Sequence, residues 1–211
     1  MGIFDYLLFR LRAKNEYGIH SPFLFDLYNS ILKDKKNVPA FGVLSDSMFL
    51  FRTKKNQAHL PFESALPKRY SKIVSSLLRK FRITSLLNVS FKGGIPFYTL
   101  YSKGKSSNSF VKAKENTDLV SILENIPSLE MVFFGKECLH NEMDYEIRDL
   151  LTCTSENSIF IFETPHNSKE SYFSWNTITY LKEITLSLDF YFLGVLFYNK
   201  SFSKQSFKLK I

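Results

Sequence analysis

"ITSLLNVSFKGGIPFYTLY", residues 83–101, is where the reading of the fold is decided. Helical spacing of apolar residues ends just before it, and a β-like run from Ile83 to Val89 replaces it. Ser90-Phe91-Lys92-Gly93-Gly94 then reads as a glycine turn, and Phe97 to Tyr101 as the start of a helix. Strand, glycine turn and helix in that order form the first βα unit of a nucleotide-binding α/β fold. By itself the Gly93-Gly94 pair is either a plain turn or the remnant of a cofactor loop.

Downstream, the same alternation continues. Phe110-Val111 is a weak strand, 118–126 a helix, Met131 to Phe134 a strand and 142–151 a helix with Met143, Ile147, Leu150 and Leu151 on one side. Ser158 to Phe162 is a fully apolar strand, and 169–180 a helix carrying Trp175, which reads as a core or inter-helix anchor. Strands without a polar face belong to a sheet covered on both sides, and hence parallel. Residues 184–198 alternate and turn near Gly194, and 206–211 alternate again. This last pair reads as antiparallel, closing one edge. The expected fold class is therefore α/β: a Rossmann-like sheet, mostly parallel, with an antiparallel C-terminal edge.

Upstream the spacing is helical. Residues 2–14 form an amphipathic helix with Ile3, Phe4, Leu7, Leu8 and Leu11 on one face and Asp5, Arg10 and Arg12 on the other. Gly18 stops it, and Ser21-Pro22 starts the next helix with a cap and a first-turn proline. Phe23, Leu24, Leu27, Ile31 and Leu32 line that second helix. Residues 33–62 are polar and basic and read as a loop. A third helix spans 68–81, with Tyr70, Ile73, Val74, Leu77 and Leu78 inward. The expected division is an N-terminal helical extension and loop, 1–67, and an α/β domain, 68–211, within one compact unit.

A chain of 211 residues with 22 Phe and 11 Tyr has enough apolar material for one well-buried domain, and too much for disorder. No apolar run spans a bilayer; Leu186 to Tyr198 is too short and is interrupted by Asp189. The first ten residues lack a secretory leader, and Tyr6 stands where a myristoylation motif needs Ser or Thr. These features point to a cytoplasmic protein with no membrane partner. Cys138 and Cys153 fit no metal spacing and read as reduced thiols, and the four histidines are scattered, so no metal site is expected. The formal charge of +8 is dispersed along the chain. It reads as a solvated surface or as attraction for a polyanion through counterion release.

Particular words resemble a known family. "YGIHSPFLFDL" (17–27) is similar to the "HGVHSPFVFDF" signature of a group of bacterial class I S-adenosylmethionine-dependent methyltransferases typical of Bacteroidetes. "ITLSLDFYFLGVLFYNKSFSKQSFKLKI" (184–211) resembles that family's C-terminal segment nearly word for word. The family's "FDDIHWS" stands where this chain has Phe162-Glu163-Thr164-Pro165-His166-Asn167-Ser168. The resemblance implies the cofactor S-adenosylmethionine and an acceptor the sequence does not name. It places Asn88, Ser90, Gly93 and Gly94 at the cofactor, Glu115 as the nearest acid for the ribose, and His20 on the substrate side. Glu163 and His166, just past a strand end, become the candidate acid–base pair; the stretch Thr164 to Ser168 also reads as no more than a cap for the next helix.

The cofactor words depart from the family pattern. Asn88 replaces an acid and Ser90 a glycine in "ILELGTSLGIST". The ribose-binding βα unit is shortened, Gly135 replaces the aspartate of "FVFIDGNH", and Glu163-Thr164 replace paired aspartates. Each lost hydrogen-bond partner of a buried ligand costs about 1–3 kcal/mol, so several together remove useful binding. The expectation is a methyltransferase-like protein with a degenerate cofactor site. The alternative is a non-catalytic relative that binds a polyanion through its basic surface, or another copy of itself through the N-terminal helices.

Overall fold

The computed structural model describes residues 2–15, 18–33, 68–83, 86–89, 129–136, 138–139 and 143–210. Ser90, Gly93, Gly94, Glu115, and the elements expected at 97–101, 110–111 and 118–126 lie outside the described residues. Three helices precede the sheet: α1 (Ile3–Arg12), α2 (Pro22–Lys33) and α3 (Lys68–Lys80). Strands β1 (Leu86–Val89) and β2 (Met131–Phe134) follow, then α4 (Met143–Cys153), β3 (Ile159–Glu163) and α5 (Lys169–Tyr180). The chain ends in β4 (Leu186–Asp189), β5 (Leu193–Phe197) and β6 (Gln205–Lys208).

The six described strands form one sheet in the order β1-β2-β3-β5-β4-β6. β1, β2 and β3 are parallel. β5 runs antiparallel to both β3 and β4, and β6 lies outermost, parallel to β4. The antiparallel pairing thus falls in the C-terminal part, as the alternation of 184–198 implies, but the reversed strand β5 lies two places in from the edge, and the edge strand β6 is parallel to its neighbour rather than antiparallel as expected. Five of the six strands end at the same side of the sheet, where open α/β sheets place their ligands.

Helices cover both faces. Leu24, Leu27 and Ile31 of α2 and Ile73, Val74 and Leu77 of α3 pack with Ile161, Leu188 and Val195 on one face. Met143, Ile147 and Leu150 of α4 and Trp175 and Ile178 of α5 pack with Val132, Phe160 and Phe162 on the other. Every residue of β2, β3, β4 and β5 is buried; β2 and β5 accordingly lack a polar face, whereas β4 alternates Leu186 and Leu188 with buried Ser187 and Asp189. No described helix is long and apolar enough to cross a membrane.

Two local readings, at Gly18 and Gly194, are corrected, and the covered side of α1 is defined. The apolar stripe of α1 does not face the core: Ile3 is 82%, Phe4 71% and Leu11 78% exposed. Its covered side is instead aromatic, with Phe9 and Ala13 buried and Tyr6 half-buried against Tyr191 and Phe192. Nor does Gly18 stop α1. The backbone turns extended at Ala13, and Lys14 then pairs with the C-terminal strand, its N–H donating to the Lys208 carbonyl at 2.7 Å. The last hairpin reverses at Phe190 to Phe192, and Gly194 lies inside β5 opposite Phe162 and Asp189. Ser21 does cap α2, accepting from the Leu24 N–H at 3.4 Å, and the Tyr28 hydroxyl ties that helix to the Lys210 carbonyl.

Candidate functional site

The polar centre of the described chain lies where β3 and β4 end. Strand β3 carries the backbone to Thr164, and Ser168 opens α5 by accepting the Ser171 N–H at 3.0 Å. Between them Pro165 and His166 make the turn, with the Asn167 N–H donating to the Thr164 carbonyl. His166 is thereby held against the end of β4. Its Nε2 lies 3.0 and 2.8 Å from the two carboxylate oxygens of Asp189. Both side chains are only 5% exposed.

Asp189 does two things at once. One oxygen also accepts the Tyr191 N–H at 2.8 Å, which fixes the hairpin turn as an Asx-type reversal. Tyr191 sits at φ 72° and Thr164 at φ 49°. Both are conformations that side-chain-bearing residues avoid, and a β-branched threonine most of all. Such strain, about 1–3 kcal/mol per residue, persists where surrounding bonds over-determine it and is concentrated at functional sites. Here the Thr164 N–H is pinned to the Phe192 carbonyl. The Thr164 hydroxyl is buried without a hydrogen-bond partner.

The imidazole is gripped by rings. Tyr191 stacks on it at 4.5 Å, Tyr172 lies over it at 4.5 Å, and Phe9 of α1 meets it edge-on at 5.2 Å. A carboxylate only accepts, so Nε2–H is given to Asp189 and the neutral tautomer carries its lone pair on Nδ1. Beside it is a cleft of about 290 Å³. Thr164, His166, Asn167, Tyr191 and Phe192 line one side, and Gly2, Ile3 and Tyr6 of α1 the other. That size, at the lower bound of small-molecule clefts, suits a compact ligand.

Tyr191 has its phenol pushed above the ordinary value of 10.0, chiefly by burial and then by the carboxylates of Asp5 and Asp189. A folded state that resists the phenolate gains from this group below pH 10.0 and loses that gain as pH rises through the raised value. Wild-type protein is therefore expected to lose more stability than Tyr191→Phe between about pH 9 and pH 11, as read by urea unfolding at each pH.

No protein-family model matches the chain, and no curated protein does. Among solved structures, one from Klebsiella pneumoniae described as "a putative O-methyltransferase" aligns over 92% of this chain and 95% of its own, with 11% identity and a TM-score of 0.44. At those values nothing about activity carries over from it.

Of the candidate site residues that are described, His166 lines the cleft. Glu163 is buried at the end of β3, where strand alternation turns its side chain to the face of Ile161, away from Phe162 and Trp175. The carboxylate that holds His166 is Asp189. Asn88 is in β1, paired with Phe133. His20 is exposed in the corner before α2. Asp189, Thr164, Tyr191 and Tyr6 were not anticipated. The available signal was Asp189 itself, a lone acid in an otherwise apolar run.

At the ends of β1 and β2 few residues are described, since 90–128, 137 and 140–142 lie outside them. The Val89 carbonyl there is taken by the Gly135 N–H at 2.9 Å and the Cys138 thiol at 3.2 Å. Cys138 is buried and not in a disulfide. Among the described residues no group of three His, Cys, Asp or Glu is placed to hold a metal.

Proposed function

We propose that the chain is a class I methyltransferase-like protein of the "YGIHSPF" type, with an eroded S-adenosylmethionine site and a retained polar centre on the acceptor side. The observation that carries this reading is the buried His166–Asp189 pair beside a cleft at the carboxyl ends of β3 and β4. In that centre Asp189 orients His166, and His166 accepts a proton from a compact ligand in the cleft. The cofactor half is supported less: Asn88 and Ser90 replace the expected acid and glycine, and the Val89 carbonyl is bonded internally. Methyl transfer needs a bound sulfonium donor as well as a base, so the proton-accepting half alone leaves the protein a binder rather than a transferase.

Thermal shift and calorimetry with S-adenosylmethionine and S-adenosylhomocysteine test this. Binding at a Kd of about 10 μM would add about 2.7 kcal/mol of stability at 1 mM ligand. For a chain of this size that is a rise in Tm of roughly 5–10 °C. The expected outcome is no saturable shift with either compound. A shift of that size would restore the catalytic reading and remove the eroded one.

A further inference from the structure

The outward face of α1 has no covering in the chain as described. Ile3, Phe4, Leu7 and Leu11 are 53–82% exposed and Leu8 37%. Together they form a contiguous apolar patch at the upper end of what soluble monomers expose, a few hundred Å². Scattered exposed leucines need no explanation, but five on one face of a ten-residue helix do.

We infer that this face binds the same face of a second copy of the chain, with the two α1 helices antiparallel. The charges beside the patch select the partner. Phe4, Leu8 and Leu11 follow the four–three spacing of a coiled-coil seam. Asp5, half-buried with one carboxylate oxygen accepting the Gly2 N–H at 2.8 Å, and Arg12, seven residues on, occupy the same margin of it at opposite ends. A twofold axis across an antiparallel pair keeps each margin against itself, so Asp5 of each copy meets Arg12 of the other. The arginine side chain leans toward its own N-terminus, which shortens that approach. A parallel pair would set each margin against the opposite one and bring no Asp5 to an Arg12. An anionic bilayer would favour a uniformly basic rim, and this one has a carboxylate at one end.

A single helix offers less than the roughly 800 Å² per partner of standard interfaces, so the dimer is concentration-dependent in the micromolar range. Ile3 belongs to both the patch and the cleft wall, so the second copy borders the His166 cleft. The pairing is independent of cofactor binding.

Sedimentation equilibrium of the full chain, from about 1 to 200 μM, tests the inference. Wild type is expected to shift from monomer to dimer. Leu11→Glu is expected to stay monomeric with an unchanged circular dichroism spectrum, since Leu11 is 78% exposed and contributes nothing to the core. Asp5→Lys and Arg12→Glu should each weaken the dimer at least tenfold, and the two together should restore it. Wild type that stays monomeric throughout overturns the inference. So does failure of the double swap to restore pairing. Flotation of a monomeric wild type, but not Leu11→Glu, with phosphatidylcholine–phosphatidylserine vesicles would assign the face to lipid and likewise overturn it.

Discussion

Asp189→Ala is expected to destabilise the folded chain by about 3–5 kcal/mol, the usual cost of removing one partner of a buried pair. Its carboxylate holds the His166 ring by both oxygens and the Tyr191 N–H by one. Without it two buried donors lose their acceptor, and the Tyr191 turn at φ 72° loses the bond that over-determines it. The effect reaches α1, because Phe9 packs on His166 and Tyr191. For a chain of this length the expected fall in Tm is roughly 6–20 °C. Asp189→Asn keeps one acceptor for Tyr191 and should cost about 1–3 kcal/mol. Urea unfolding of Asp189→Ala, His166→Ala and the double variant measures the coupling, expected at about 1–3 kcal/mol. Costs that simply add would mean the two side chains are held independently, and the centre proposed for the acceptor side would not exist.

How much of this was readable depends on what each residue answers to. β2 and β3 were legible because strands buried on both faces have no polar alternation to hide them, and their bounds agree to within a residue. α5 was legible from Ser168 as its cap and from Trp175 on its inner side. The covered side of α1 was not legible, because periodicity says that a helix has two faces, not which of them the fold covers. The surface that decides is the Phe190 to Phe192 turn, far away in sequence, and it receives Tyr6 and Phe9 instead. His166 was legible through resemblance. Its partner was not, because 23 residues and a whole helix separate it from Asp189. The turn was misplaced for a related reason. Glycine usually marks a reversal, yet here Tyr191 adopts the left-handed backbone and Gly194 stays within the strand.

Gly194→Ala is expected to cost about 3 kcal/mol or more, the upper end for overpacking a filled core. Backbone propensity argues the other way, since glycine inside a strand is worse than alanine by about 0.5–1 kcal/mol. Space decides between them. A Cβ on Gly194 would lie 2.5 and 2.6 Å from Trp175 Cζ3 and Cη2, and 3.0 Å from Pro165 Cγ. Neither neighbour is a flexible chain end. Trp175 is 2% exposed and meets Phe162 edge-on at 5.7 Å. Relief therefore requires α5 to move away from the sheet. Thermal unfolding should show Gly194→Ala melting roughly 6–12 °C below wild type. Trp175→Phe, itself destabilising, should recover part of that loss when combined with it, because the smaller ring leaves room for the methyl group. A Gly194→Ala variant as stable as wild type would show that the indole does not lie on β5. The displacement has a second consequence. His166 stands in the turn that enters α5, three residues ahead of the first helical residue. A shifted helix draws it from Asp189, so the His166–Asp189 coupling energy should be smaller in the Gly194→Ala background than in wild type.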